Sequence, residues 1–174
     1  MATNVEIKAM VTDLASFRKR VEMISDITGE EIYQNDTFFA VDHGRLKLRV
    51  LSQGHGELIF YDRSDTLGPK PSHYLLSRTS DPGSLREVLA ASLGIIGQVR
   101  KHRTLFMIGN TRVHLDEVEK LGTYVELEVV LGKGESIEAG REIALALMHE
   151  LRIEPADLVN GAYVDLINAA RSKG

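Results

Sequence analysis

Charge falls on every second residue in one segment after another of this chain, and no other feature constrains its fold as tightly. Successive side chains of a β-strand point to opposite faces, so a period of two sorts residues onto two surfaces. In NVEIKA, Asn4, Glu6 and Lys8 share one face, while Val5, Ile7 and Ala9 share the other. In RLKLRV, Arg45, Lys47 and Arg49 oppose Leu46, Leu48 and Val50. In ELIFYDR, Glu57, Ile59, Tyr61 and Arg63 oppose Leu58, Phe60 and Asp62. Lys101 and Arg103 align with Val99 and Leu105, and Arg112, His114 and Asp116 oppose Val113, Leu115 and Glu117. In YVELEVV, Tyr124, Glu126 and Glu128 oppose Val125, Leu127 and Val129.

Turn and cap residues divide the chain into elements. Strands are predicted at 4–11, 31–41, 45–51, 57–63, 73–78, 97–108, 111–118 and 123–131. Turns fall at Asp42-His43-Gly44, Gln53-Gly54-His55-Gly56, Gly109-Asn110 and near Gly122. Asp13 caps a helix whose Leu14, Phe17, Val21 and Ile24 recur at helical spacing. Asp81-Pro82 opens a second helix that runs to about Ser92. Two helices close the chain between about 135 and 170, with Ile143, Leu147 and Leu151 on the first and Leu158, Tyr163, Leu166 and Ile167 on the second. The segment 64–72 reads as a loop, with Gly68-Pro69-Lys70-Pro71 as a rigid piece or a lid.

Short turns make the strands largely antiparallel, and about eight closely spaced strands invite closure into a barrel. The amphipathic helices need apolar surface to cover, including the helix carrying Leu85, Val88 and Leu89. The apolar strand faces supply it, which turns the charged faces inward. The expectation is an α+β fold: an eight-stranded antiparallel closed barrel with a charged lumen and helices on its outer face. A lumen of both charge signs cannot be dry, because buried unpaired charges cost more than a domain can supply. Basic walls suit phosphates. Carboxylates in the same bore call for a hard divalent cation between them and the phosphate oxygens.

Composition removes other classes. The length of 174 residues fits one domain, 1–174. With no cysteine there is no disulfide or thiolate metal site. This fits a cytoplasmic setting, and the start MATNVEIKAM has no secretory pattern. No apolar run approaches the roughly 20 residues of a membrane span. A net charge of −4 argues against nucleic acid as a partner. A homodimer is left open.

Taken in order, NVEIK, RLKLR, ELIFYDR, the pair in RKHRTLF, HLDEVEKLG and YVELE resemble the CYTH superfamily, the triphosphate tunnel metalloenzymes. LGPKPSHY resembles a loop of its class IV adenylyl cyclase-like branch. The superfamily also holds thiamine triphosphatases and inorganic tripolyphosphatases. The resemblance implies a tunnel that binds a triphosphate with Mg²⁺ or Mn²⁺ and cleaves a P–O bond, either as ATP to cyclic AMP and pyrophosphate or by hydrolysis. It implies Glu6, Asp116, Glu126 and Glu128 as metal ligands. Lys8, Lys101 and Arg103 would be catalytic. The same three would bind phosphate together with Lys47, Arg49, Arg63, Arg78 and Arg112. One departure is Asn4, which stands where the strand-1 motif E-x-E-x-K has its first glutamate. An amide brings no charge, which weakens the case for a second tightly held metal and leaves room for a non-catalytic polyphosphate- or nucleotide-binding module.

Overall fold

The computed structural model describes residues 2–51 and 54–174. The strands are β1 (Ala2–Met10), β2 (Glu30–Phe39), β3 (Arg45–Leu51), β4 (Gly56–Arg63), β5 (Lys70–Thr79), β6 (Ile95–Ile108), β7 (Thr111–Val118) and β8 (Gly122–Val130). They close into one antiparallel barrel in the order β1-β5-β4-β3-β2-β6-β7-β8. Every strand is therefore paired on both sides, and the barrel has no exposed edge to pair with another chain. The helices are α1 (Leu14–Ile24), α2 (Pro82–Leu93), α3 (Ile137–Leu151) and α4 (Tyr163–Arg171). No described helix is long and apolar enough to cross a membrane.

The caps act where the sequence puts them. Asp13 accepts from the Ser16 amide and Asp81 from the Ser84 amide, each at 3.0 Å. Ser136 starts α3 by accepting from the Ala139 amide at 3.1 Å. The core lies outside the barrel, between its apolar face and the helices. Ile7, Ala9, Phe106, Val113, Leu115, Val125 and Leu127 pack against Phe17 and Val21 of α1 and Leu147, Met148 and Leu151 of α3. Gly140 lets α3 approach closely, since a Cβ there would sit 2.8 Å from Val5 Cγ2.

Three expectations need correction. β5 starts at Lys70, so Lys70, Pro71 and Ser72 belong to a strand paired with β1 instead of a loop. Each proline lacks an amide donor, but the register Glu6↔Lys70 and Val5↔Pro71 keeps the segment extended. Leu158 lies before α4, in a bridge to Ala9 that follows a 3-10 turn at Pro155–Asp157. The helices lie on the outer face as expected, though unevenly: α1 and α3 pack on β1 and β6–β8, while α2 rests half-buried Leu85 and Leu89 on β2 and β3. α2 leaves Val88 61% exposed, and Leu75 on β5 is 51% exposed. Of the turn at Gln53-Gly54-His55-Gly56, Gln53 lies outside the described residues and Gly56 opens β4.

Candidate active site

The barrel encloses a cavity of about 410 Å³. Its walls carry eight cationic side chains (Lys8, Lys47, Arg49, Arg63, Arg78, Lys101, Arg103 and Arg112) against five carboxylates (Glu6, Asp36, Glu57, Glu126 and Glu128). The bore is thus positive inside a chain of net charge −4.

One end is stopped by the segment that enters α4. Its Gly161 carbonyl accepts from Lys8 Nζ at 3.0 Å and from Arg63 Nη2 at 3.1 Å. Tyr163 turns its hydroxyl to Asp116 Oδ2 at 2.9 Å, and Lys8 Nζ stands 3.8 Å above its ring. Gly97 admits this segment, because a Cβ there would meet Val164 Cγ2 at 2.5 Å. Tyr74, exposed Leu76 and Arg78 line the other end, and the Arg78 side chain is 87% exposed beside Glu57 at 3.9 Å.

The acidic wall is β1, β7 and β8. Antiparallel register sets Glu6 opposite Glu128, Lys8 opposite Glu126, and His114 opposite Glu126. Glu126 Oε1 lies 3.2 Å from Lys8 Nζ, and Oε2 accepts from Arg103 Nη2 at 2.7 Å. Burial opposes ionisation of Glu126, but Lys8 and Arg103 outweigh it and hold the carboxyl well below its ordinary range. Glu128 accepts from Arg112 Nε at 3.1 Å. Glu6 is bonded to Arg63. Burial pushes its carboxyl up, Arg63 pulls against this, and Glu128 and Glu126 push it further. Asn4 turns to its neighbours: with the amide oriented to satisfy them, its oxygen accepts from Arg112 Nη2 at 3.3 Å.

His114 stands between the glutamates. Its Nδ1 is 3.8 Å from Glu128 Oε1 and 3.9 Å from Glu126 Oε2, and it has no hydrogen-bond partner among the described residues. Burial and the nearby Arg103 press the ring down to about 4, so it is neutral near pH 7. His114, Glu126 and Glu128 each offer a ligand atom within 4.8 Å of the others. Two carboxylates and an orphaned buried nitrogen converging on one gap form a donor set that fits a divalent cation.

The basic side is held by carboxylates of its own. Asp36 accepts from Arg49 Nε and Nη2, each at 2.8 Å, and pairs with Lys47 at 3.0 Å. Asp116 is fully buried and takes two bonds from Arg103 at 2.6 Å, with Lys101 at 3.6 Å. Burial, assisted by Arg49, lowers Lys47 to about 7. Lys8 falls to about 8 for the same first reason, with Glu126 opposing it.

All the expected site residues except Asp116 line the cavity; Asp116 sits behind Arg103 and Tyr163. Sequence reading missed Asp36, which shares the lumen parity of Gln34 but stands in a strand without alternating charge. It missed Lys70, which is 2% exposed and donates to the Thr66 carbonyl at 2.6 Å, because the flanking prolines suggested a loop. It also missed the Gly161 carbonyl and the Tyr163 hydroxyl, for which no local signal exists.

A closed antiparallel barrel with an ionic, net-positive bore defines a tunnel protein for a polyanion. The CYTH domain family model matches residues 2–163, and the chain belongs to that family. Among solved structures, the PH1012 protein of Pyrococcus horikoshii OT3 superposes with a TM-score of 0.85 at 21% identity, covering 95% of this chain and 99% of that one. A proposed adenylate cyclase of Vibrio parahaemolyticus gives 0.78 at 18% identity, over 95% and 97% of the two chains. HpAC1 of Hippeastrum, a proposed adenylyl cyclase with a dominant triphosphatase activity, gives 0.66 at 14% identity, over 98% and 96%. At these identities the likeness establishes the fold. No curated protein matches the chain.

Proposed function

We propose that this protein is a divalent-metal-dependent enzyme that draws a triphosphate into its tunnel and cleaves a P–O bond, with ATP to cyclic AMP and pyrophosphate as the leading reaction. The observation that carries this reading is the charge inventory of the bore, eight cations against five carboxylates. A triphosphate chelating one divalent cation remains an anion of about two to three charges, which matches that surplus.

A bound cation would neutralise charge on the phosphate oxygens while held by Glu126 and Glu128, with Glu6 beside them. The chain's own residues do the rest. Lys8, Lys101 and Arg103 converge near the stopped end, where they would hold the terminal phosphates and, in cyclisation, take up the charge that builds on the departing pyrophosphate. Lys47, Arg49, Arg63 and Arg112 grip the remaining phosphates from the other walls, and Arg78 meets them at the mouth. Asp116 acts through Arg103, fixing its fork. Because Gly161 and Tyr163 stop one end, the terminal phosphate enters first. The substituent is left beside Ile32, Leu105, Leu76 and Tyr74, which line the same cavity. Apolar walls there favour an organic triphosphate over the inorganic chain.

Hydrolysis is the second reading, favoured because Lys8, Lys101 and Arg103 gather around Tyr163 and Asp116, where the terminal phosphate would sit. The test is incubation with ATP, tripolyphosphate and thiamine triphosphate, each with Mg²⁺ or Mn²⁺, with products resolved by ³¹P NMR. Cyclic AMP with pyrophosphate is expected. Orthophosphate would establish the hydrolase instead. Binding without turnover of any of the three would end the enzyme reading and leave the binding module for which Asn4 argues.

A further inference from the structure

We infer that His114 is a nitrogen ligand of the tunnel cation, and that it makes the site select Mn²⁺ over Mg²⁺. The inference rests on the reading above that a cation sits between Glu126 and Glu128, and it concerns which cation that is.

The argument starts from an imidazole with no other employment. His114 is 5% exposed on β7, and its Nδ1 lacks a hydrogen-bond partner among the described residues. A buried polar atom left without a partner costs about 1–3 kcal/mol, so its position needs a reason. Cross-strand pairing with Glu126 fixes that position, since His114 lies between Leu105 on one side and Glu126 on the other.

The distances then discriminate between roles. At 3.8 and 3.9 Å from the two carboxylate oxygens, Nδ1 is too far for a hydrogen bond to either. Ligands of one small divalent ion lie about 2.1 Å from it. Two of them therefore stand no more than about 4.2 Å apart when opposed and about 3.0 Å apart when adjacent. Both observed separations fall inside that interval. Arg103 uses one lone pair of Glu126 Oε2, which leaves another for the ion. β7, which carries His114, and β1, which carries Glu6, flank β8 on opposite sides, so the donors come from more than one strand.

Donor chemistry sets the selectivity. Mg²⁺ takes an all-oxygen shell and gives up its water reluctantly. Mn²⁺ also suits oxygen donors and is the weakest of the first-row series, but it accepts an imidazole nitrogen more readily than Mg²⁺ does. Replacing one oxygen ligand by nitrogen therefore penalises Mg²⁺ relative to Mn²⁺.

The test uses the full chain with Mn²⁺ alone and no nucleotide. Pulsed electron paramagnetic resonance of the bound Mn²⁺ is expected to show strong ¹⁴N coupling from a directly ligated imidazole. The coupling should convert to the ¹⁵N pattern when the protein is made with ¹⁵N-labelled histidine, a measurement that requires no variant. His114→Gln should lose the coupling and bind Mn²⁺ about tenfold more weakly, with Mg²⁺ affinity changed less than about twofold. Bound Mn²⁺ without nitrogen coupling would overturn the inference while leaving the proposed function standing. An absence of any Mn²⁺ binding would overturn the inference too, while the proposed function, which admits Mg²⁺ and a cation carried in by the triphosphate, stands or falls by the turnover test above. Equal affinity for Mg²⁺ and Mn²⁺ in the unmodified chain would also overturn the selectivity claim.

Discussion

Lys101→Met separates the cost of holding charge in the bore from its use. Lys101 Nζ is buried 3.6 Å from Asp116 Oδ2, and that carboxylate is already satisfied. It takes two bonds from Arg103 at 2.6 Å and one from the Tyr163 hydroxyl at 2.9 Å. Burial lowers the basicity of Lys101, and Arg103 lowers it further, so its charge is a liability in the ligand-free protein. Methionine keeps the apolar stem and removes the ammonium without orphaning an anion. The expected change in unfolding free energy is therefore within about 1 kcal/mol, and a gain is as consistent as a loss. Triphosphate binding loses one charge-assisted hydrogen bond, about 1.5–3 kcal/mol, which corresponds to a dissociation constant about 10- to 150-fold larger. Urea unfolding gives the first quantity, and calorimetric titration with tripolyphosphate and Mn²⁺ gives the second. A variant destabilised by more than about 3 kcal/mol, or one that binds tripolyphosphate as tightly as the parent, would refute the assignment.

The reverse perturbation should behave oppositely: Asp116→Asn strips the anion from Arg103, Lys101 and Tyr163 together and should cost about 3–5 kcal/mol in urea unfolding. In the parent chain, burial resists ionisation of Asp116 but Arg103 and Lys101 hold it down to about 2. Its stabilisation is thus complete above about pH 4 and is lost as pH falls toward 2; acid titration followed by circular dichroism should show the parent losing stability there and the variant less so. At the other end of the scale, Lys47 near 7 and Lys8 near 8 both lie below the unfolded value of about 10.4. The unfolded chain then holds more protons between about pH 7 and 10, so ligand-free stability should rise across that window while tripolyphosphate affinity falls; affinity that stays flat to pH 10 would remove both lysines from the phosphate site.

The period of two made the barrel readable, because it fixes which face each side chain takes. Lys47 and Arg49, Lys101 and Arg103, and Glu126 and Glu128 all line the bore as their alternation requires. Parity does not fix register, however, and register decides partners. Asp36 clamps Arg49 only because Asp36↔Arg49 and Phe38↔Lys47 are the pairs that β2 and β3 form. The same limit hid the third donor of the acidic wall. His114 carries the right parity, but only the β7–β8 register sets it against Glu126. The stopper is less visible still, since Gly161 and Tyr163 reach Lys8, Arg63 and Asp116 across about 50 to 150 residues of sequence.

What the structure adds to the charge pattern is its ligand-free state. Each strongly buried cation of the bore leans on a carboxylate or carbonyl: Lys8 on Glu126 and Gly161, Arg63 on Glu6 and Gly161, Arg49 and Lys47 on Asp36, and Arg103 on Asp116 and Glu126. Such pairs return little net stability, because desolvation offsets most of their attraction. A sequence selected for stability alone would fill this bore with Val and Leu, as it fills the outer face of β7 and β8 with Val113, Leu115, Val125 and Leu127. Keeping eight cations and five carboxylates in the bore makes sense if the carboxylates occupy the cations until a phosphate displaces them. Asp116 is the exception. With no surface exposed and three partners, it is positioned to keep Arg103 in place whether or not the tunnel is filled.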